Sequence, residues 1–414
     1  MKTGALHGIR ILDLSTVLMG PYATQILADM GADVIKIEGP AGDSSRYITD
    51  GRSRGMGGST LNLHRNKRGL VLDLKHPDGK AALLRLAEGA DVLFYNIRPQ
   101  AMARLGLDYA ALRAVNPRIV YCGAYGYRRD GPYGHKGAYD DLIQGASGIA
   151  ALNGRLYGEP AYVPTVLCDK VAGLTAVYAI TAALLHRERT GEGQEIEVPM
   201  FETLVSFTML EHIRDHAFEP PLSPVGYARL LTRNRRPYRT QDGYACILPY
   251  TDRNWRDLFA YVGRPELAQD ERYVSIRART QHIDALYTQL AEFAATRTTA
   301  EWMAFCDRVS IPAAPVNDLA DMWEDPHLRA TGFFSTAEHP TEGKYKVIGF
   351  PVNFSASPMT LRRHAPRLGG NSIEVLREAG FSEAHIQRML QQGATVDHSD
   401  GSPIAPPAAG DESP

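Results

Sequence analysis

Four cysteines are all that 414 residues carry, at Cys122, Cys168, Cys246 and Cys306, and no two of them form a CxxC pair. That spacing excludes a zinc ribbon or a disulfide framework and points to reduced thiols in a cytoplasmic protein. An excess of one charge is also missing: 45 Lys and Arg face 47 Asp and Glu, a formal net charge of −2. Nucleic-acid binding through bulk electrostatics needs cations that are not there. The opening MKTGALHGIRILDLS leads into a strand without an apolar signal segment, and no stretch repeats. The uncharged run Val171–Leu185 is shorter than the about 20 apolar residues a bilayer span takes, so no membrane partner is expected. A glycine fingerprint for dinucleotides is lacking too. Glu38 ends the second strand where a ribose-binding acid would stand, but the first loop has Gly20 alone and no GxGxxG.

What is present suffices for a large core, with 44% hydrophobic residues. The length favours two domains. Ile9–Leu14 reads as a strand, Pro21 opens a helix that Gly31 closes, and ADVIKIE is a second strand. This is a βαβ unit with a right-handed crossover. Leu70–Leu74, Val92–Tyr95 and Ile119–Ala124 continue as strands, with helices at Pro77–Glu88 and Pro99–Arg104. The expected fold is α/β: a doubly wound, Rossmann-like parallel-sheet large domain with a smaller α+β domain. Its expected bounds are 1–205 for the first part of the large domain and 206–225 for a Pro-rich linker. The small domain follows at 226–329, a return segment with C-terminal helices at 330–395, and a Pro-, Gly-, Ser- and acid-rich disordered tail at 396–414.

The chain is organised around PTVLCDKVAGLTAVYAITAALLHRERTGEGQEIEVPMFE. Asp169 stands at the mouth of an uncharged helix that is expected to be buried on most sides and to stop at Thr190-Gly191. Asp is a favoured N-cap, for the N–H of Val171 or Ala172, although no Glu or Gln three residues on completes a capping box. On these residues alone, capping is the better account.

Ordered segments alter that balance. GPYATQILADMGADVIKIE, GDSSR, NKRGLVLDLK, NIRPQAMARLG, NPRIVYCGAYG, DGPY, YDDLIQGASGIAAL, LCDKVAGL, RTGEGQEIEVPM, IPAAPVND, EDPHLRATGFF and APRLGGN run from about Leu6 to Gln392. Together they resemble the class III CoA-transferases, the formyl-CoA and carnitine CoA-transferase group. The resemblance implies an aspartyl nucleophile at Asp169. It implies CoA transfer from an acyl-CoA, such as succinyl-CoA or another dicarboxylyl-CoA, to a free carboxylic acid through anhydride and aspartyl-CoA thioester intermediates. It implies no tightly bound cofactor and no metal, with the coenzyme A thioester as substrate, and an interlocked homodimer.

By the same resemblance Val17, Leu18 and Met19 line one side of the CoA slot, with Leu72, Asn96, Ile97, Arg98 and Arg104 around the nucleotide. Relatives carry Arg where this chain has Gly39, and Arg46, Lys67 or Arg98 are the candidates to compensate. Tyr139-Asp140 resembles a Tyr-Glu positioning pair, against the plainer reading of a buried tyrosine beside a hydrogen-bonded acid. The related α-methylacyl-CoA racemases carry His where Tyr139 stands, and tyrosine is a poor base at a reference pKa of about 10. A racemase or a non-catalytic acyl-CoA-binding protein are the alternatives. The loop Arg229–Arg239 could fork onto a second carboxylate or simply be solvated. No glycine-rich run like the loop over the formyl-CoA transferase intermediate is present, which argues against formyl or oxalyl specificity.

Overall fold

Short apolar runs alternating with amphipathic segments build a six-stranded, wholly parallel sheet. Its strands are β1 (Arg10–Asp13), β2 (Asp33–Glu38), β3 (Lys67–Val71), β4 (Val92–Tyr95), β5 (Val120–Tyr125) and β6 (Glu195–Pro199), in the spatial order β3-β2-β1-β4-β5-β6. The computed structural model describes residues 4–49, 51–400 and 402. The doubly wound expectation holds, and the strand order reverses between β1 and β4, where α/β sheets open a crevice for ligands.

The helices along the same stretch are α1 (Met19–Asp29), α2 (Gly58–Leu63), α3 (Pro77–Ala87), α4 (Pro99–Arg104), α5 (Tyr109–Val115), α6 (Asp140–Ala146), α7 (Ile149–Tyr157), α8 (Leu167–Thr190) and α9 (Met200–His212). Proline opens α3 and α4, where its missing N–H costs nothing, and Asp108 caps α5 by accepting the N–H of Ala111. Leu12, Leu14, Ile35, Leu70, Leu93 and Leu83 meet in the main core.

Two expectations need correction. The third strand starts at Lys67, not Leu70, because Lys67 and Arg68 pair in register with Val34 and Ile35 of β2. Both charges are buried and matched, Lys67 by Asp13 and Arg68 by Asp33, so a run that looks polar in sequence sits inside the sheet. Helix α8 is 24 residues long, begins at Leu167 and is not buried all round. By length and composition it could cross a bilayer, so shortness does not exclude that. Cys168, Ala172, Ala176, Ile180 and Leu184 are buried on one face, while Leu174, Tyr178 and Leu185 are exposed on the other. The buried face packs on α1, α6, β5 and β6, as a core helix does. Gly191, at φ 80°, ends it in the left-handed region that glycine tolerates.

The chain divides into two compact units. Among the described residues the first takes 4–147, 163–207 and 329–402; the second takes Gly148–Tyr162 and Thr208–Leu328. Thus 148–162, with α7, groups with the second unit, and the stretch expected as a linker begins inside α9. Within the second unit β7 (Tyr238–Arg239), β8 (Tyr244–Ile247) and β9 (Ala313–Pro315) form an antiparallel sheet. Helices α10 (Asp252–Tyr261), α11 (Ile276–Gln281), α12 (Ile283–Ala294) and α13 (Thr299–Val309) cover a core of Trp255, Phe259, Leu290, Trp302 and Phe305. Capping boxes at Thr251 and Thr298 start α10 and α13.

Within the first unit the return segment is held by Asn66, whose amide donates to Asp29 and the Thr360 carbonyl and accepts the N–H groups of Arg362 and Arg363. Of the tail expected at 396–414, residue 401 and those from 403 lie outside the described residues. Val396 packs near Val71 and Leu368, so the ordered chain extends past the expected boundary.

Candidate active site

The loop after β1 and the loop after β4 meet at the switch point. Thr16 N–H donates to Asn96 Oδ1 at 2.9 Å, and Asn96 Nδ2 returns a bond to the Thr16 carbonyl at 2.8 Å. Val17 lies at φ 66°, a genuine outlier for a β-branched residue, and such strain persists only when surroundings enforce it. The enforcement is visible: Val17 N–H donates to the Asp43 carboxylate at 3.1 Å, and Lys36 Nζ donates to the Ser15 carbonyl. Val17 and Leu18 are half-buried and Met19 is buried, at the start of α1.

Beneath this loop lies a cluster of buried charges. Asp13, Lys36 and Arg46 are fully buried, and Asp43, Lys67 and Glu38 nearly so. Lys36 pairs with Asp43 at 3.2 Å, Lys67 with Asp13 at 3.3 Å, and Arg46 with Glu38 through two bonds of 2.7 Å. Burial alone would push the Asp13 carboxyl up, but Lys67 and Lys36, with hydrogen bonds from Ser15 and Thr24, hold it below its ordinary value. Burial lowers the Lys67 ammonium to about 8 despite Asp13. Charges this deep hold geometry only while each keeps its partner. Arg46 and Lys67 are therefore committed inside the fold, which removes both as substitutes for the absent arginine at Gly39. Glu38 is equally closed, since Arg46 and the Asp43 N–H take its oxygens. Gly20 packs its backbone against Ser15 and Phe94, with no room for a Cβ.

Asp169 is half-buried in the first turn of α8. It is not the N-cap: Val166 occupies that position and offers no side-chain bond. The cap comes from elsewhere, as the Asp169 N–H donates to Asp140 Oδ1 at 2.9 Å. Burial, and then the charge of Asp140, push the Asp169 carboxyl up to about 6. Most of the population is still ionised at pH 7, as a nucleophile requires. Tyr139 is 69% exposed, which removes the buried-tyrosine reading, whereas Asp140 is buried and hydrogen-bonded. One turn beyond Asp169, a side chain at Gly173 would stand 2.8 Å from the Met19 carbonyl. The helix face carrying Asp169 therefore packs closely against the first turn of α1, into which the switch-point loop leads.

The remaining candidates are less tightly grouped. Ile97 packs against the core, Arg98 is the exposed residue before α4, and Arg104 is exposed in its last turn. Leu72 is 1% exposed within the core, with its N–H on the Glu38 carbonyl. In the second unit Arg229 is held by the Tyr287 hydroxyl at 3.3 Å and the Tyr250 ring, while Arg233, Arg235, Arg236 and Arg239 are exposed. Sequence reasoning missed Asp43 and Gln144 as side chains that support the site. Each lay in a quoted segment, GDSSR and YDDLIQGASG, where spacing alone names no partner. Among the described residues no group of His, Cys, Asp and Glu could hold a metal ion.

The chain matches CoA-transferase family III over residues 6–372. It is 33% identical to a succinate–glutarate CoA-transferase of Agrobacterium fabrum, over 90% of this chain and 95% of that one. It is 31% identical to a formyl-CoA:oxalate CoA-transferase of Shigella sonnei, over 94% of this chain and 99% of that one. A solved CAIB/BAIF family protein from Brucella suis has a TM-score of 0.77 at 29% identity, covering 91% of this chain and all of that one (100%).

Proposed function

This chain belongs to CoA-transferase family III and is a class III CoA-transferase, and from there we propose that it moves CoA from a dicarboxylyl-CoA such as succinyl-CoA to a free carboxylic acid through Asp169. The observation that carries this reading is the placement of a half-buried carboxylate, in the first turn of α8, on the helix whose Gly173 meets Met19, where the loop from Ser15 enters α1. That loop, with Asn96 and Ile97, lies where a doubly wound sheet binds its ligand, and the exposed Arg98 and Arg104 supply cations for the CoA phosphates. The succinate–glutarate relative supports a dicarboxylyl donor.

The Asp169 carboxylate attacks the thioester carbonyl carbon, the C–S bond breaks, and CoA thiolate leaves a mixed anhydride. The thiolate attacks the Asp169 carbonyl carbon, freeing the donor acid as its carboxylate and leaving an Asp169–CoA thioester. The acceptor carboxylate attacks that thioester and expels the thiolate again. Attack of the thiolate on the acceptor's acyl carbon then regenerates the Asp169 carboxylate. No proton is gained or lost overall, so the protein's work is to present an ionised carboxylate and keep water away.

The enzyme is further proposed to be a cytoplasmic, interlocked homodimer. Four free thiols suit a reducing compartment. Leu174, Tyr178 and Leu185 recur at helical spacing as an exposed apolar stripe on α8, a surface suited to a second copy. The test of mechanism is intact-protein mass after succinyl-CoA is added without acceptor. A CoA thioester mapped to Asp169 is expected. No adduct across a broad acyl-CoA panel would leave a binding protein, and deuterium wash-in at the α-carbon without acceptor would indicate a racemase.

A further inference from the structure

Gln144 is 1% exposed and stands one helical turn after Asp140 on α6, so the two side chains share a face. Its amide is fully used. Val163 N–H donates to Oε1 at 2.8 Å, and Nε2 donates to Asp140 Oδ2 at 2.7 Å. The same nitrogen lies 3.3 Å from the Val163 carbonyl and 3.4 Å from that of Thr165. The orientation is forced, because the Val163 N–H must meet oxygen while two carbonyls and a carboxylate must meet nitrogen. Asp140 is in turn buried, with Oδ1 on the Asp169 N–H. One amide thus ties together α6, the segment entering α8, and the carboxylate that caps the α8 first turn.

We propose that Gln144 is a positioning residue for transfer: its amide fixes the Asp140 carboxylate and the Val163–Thr165 segment, and through them the turn that presents Asp169. The proposal rests on Asp169 being the nucleophile. Without the Gln144 donor, Asp140 Oδ2 is left buried and unpaired, so the carboxylate turns away toward other donors or solvent. The Asp169 amide then loses its partner. Displacing a reacting group by about 1 Å can cost about 10²-fold in rate.

Gln144→Glu separates this role from simple packing. The introduced carboxyl still accepts the Val163 N–H, and while protonated its O–H donates to Asp140; once ionised, it repels Asp140. The charged group bonded to it is Asp140; the other titratable groups of the elements around it are the exposed Asp141 on α6, and Cys168, Asp169 and Lys170 at the start of α8, with Lys170 Nζ held on Thr165 Oγ1 at 2.8 Å. We expect kcat of Gln144→Glu to match wild type within about twofold at pH 6 and to fall to about one tenth of it by pH 8.5, with KM for succinyl-CoA little changed. Gln144→Leu should lose about 10²-fold in kcat at every pH. Near-wild-type activity at pH 6 also shows that the variant folds. A variant-to-wild-type ratio independent of pH, or a loss confined to KM, overturns the positioning role while an Asp169 adduct in the wild type upholds the nucleophile. Absence of that wild-type adduct is the separate failure of the nucleophile reading, and the positioning role falls with it.

Discussion

Asp140 Oδ1 accepts the backbone N–H of Asp169 at 2.9 Å, so one carboxylate caps the helical turn on which another is presented. The arrangement sets two effects against each other. The capped helix start favours an anion, while burial and the neighbouring charge disfavour it, and the second pair prevails.

The first consequence is an acid limb. In the proposed mechanism Asp169 attacks as its carboxylate, so kcat/KM should fall about tenfold per pH unit below about 6, where its carboxyl titrates. Asp140→Asn keeps an oxygen for the Asp169 N–H and removes the like charge, so the limb should move to lower pH. Because burial is the larger cause, the limb should stay above the ordinary Asp range. A pH–rate profile of both proteins checks this; an unmoved limb would count against coupling between the two carboxyls.

Removing the proposed nucleophile should trade activity for stability. Asp169→Asn should lose about 10³-fold or more in transfer while CoA binding, read by calorimetry, survives. The folded-state pKa of Asp169 is raised, so its ionised form destabilises the fold above about 6 and has no effect well below 3.8, where both states are protonated. The Tm of Asp169→Asn should therefore exceed that of wild type at pH 8, with the difference vanishing as the pH falls towards about 2.5.

Gly173 is a contact, not a flexible link. A Cβ there would stand 2.8 Å from the Met19 carbonyl and 3.2 Å from Tyr22 Cδ1. Gly173→Ala should push α1 and its leading loop from α8, cost about 1–3 kcal/mol, and raise KM for the CoA donor. Urea unfolding and steady-state kinetics read the two effects.

Asp43 holds Val17 in its strained conformation and faces Lys36. Burial would depress the Lys36 ammonium, but Asp43, Asp13 and Glu38 outweigh it and keep its pKa raised. Asp43→Ala leaves that cation without its ion-pair partner at 3.2 Å and should cost about 3–5 kcal/mol in denaturant unfolding. Adding Lys36→Met should recover part of the loss, and a strictly additive double mutant would contradict the pairing.

The exposed stripe on α8 predicts oligomer loss on charge insertion. Leu174→Glu with Tyr178→Glu should shift the protein to monomer in sedimentation while leaving its helical circular dichroism unchanged, since both side chains are already exposed.

Much of the fold could be read from periodicity. Val92–Tyr95 and Pro99–Arg104 fall where pattern and proline placed them, because local signals set local structure. Lys67 and Arg68 escaped that logic: their charges look solvated until Asp13 and Asp33, distant in sequence, are brought beside them. Gln144 escaped for the same reason, since its partners are Asp140 in its own helix and a segment about 20 residues on.

By itself the sequence determined the alternation of strands and helices, the family, and the candidate acid at Asp169, all of which rest on local pattern and ordered segments. Only tertiary structure decided that Asp169 is capped by Asp140 instead of capping, that Arg46 and Lys67 are spent on internal partners, and that α8 keeps an open apolar face. Those outcomes turn on desolvation and on pairing between residues remote in the chain, which composition and spacing do not encode.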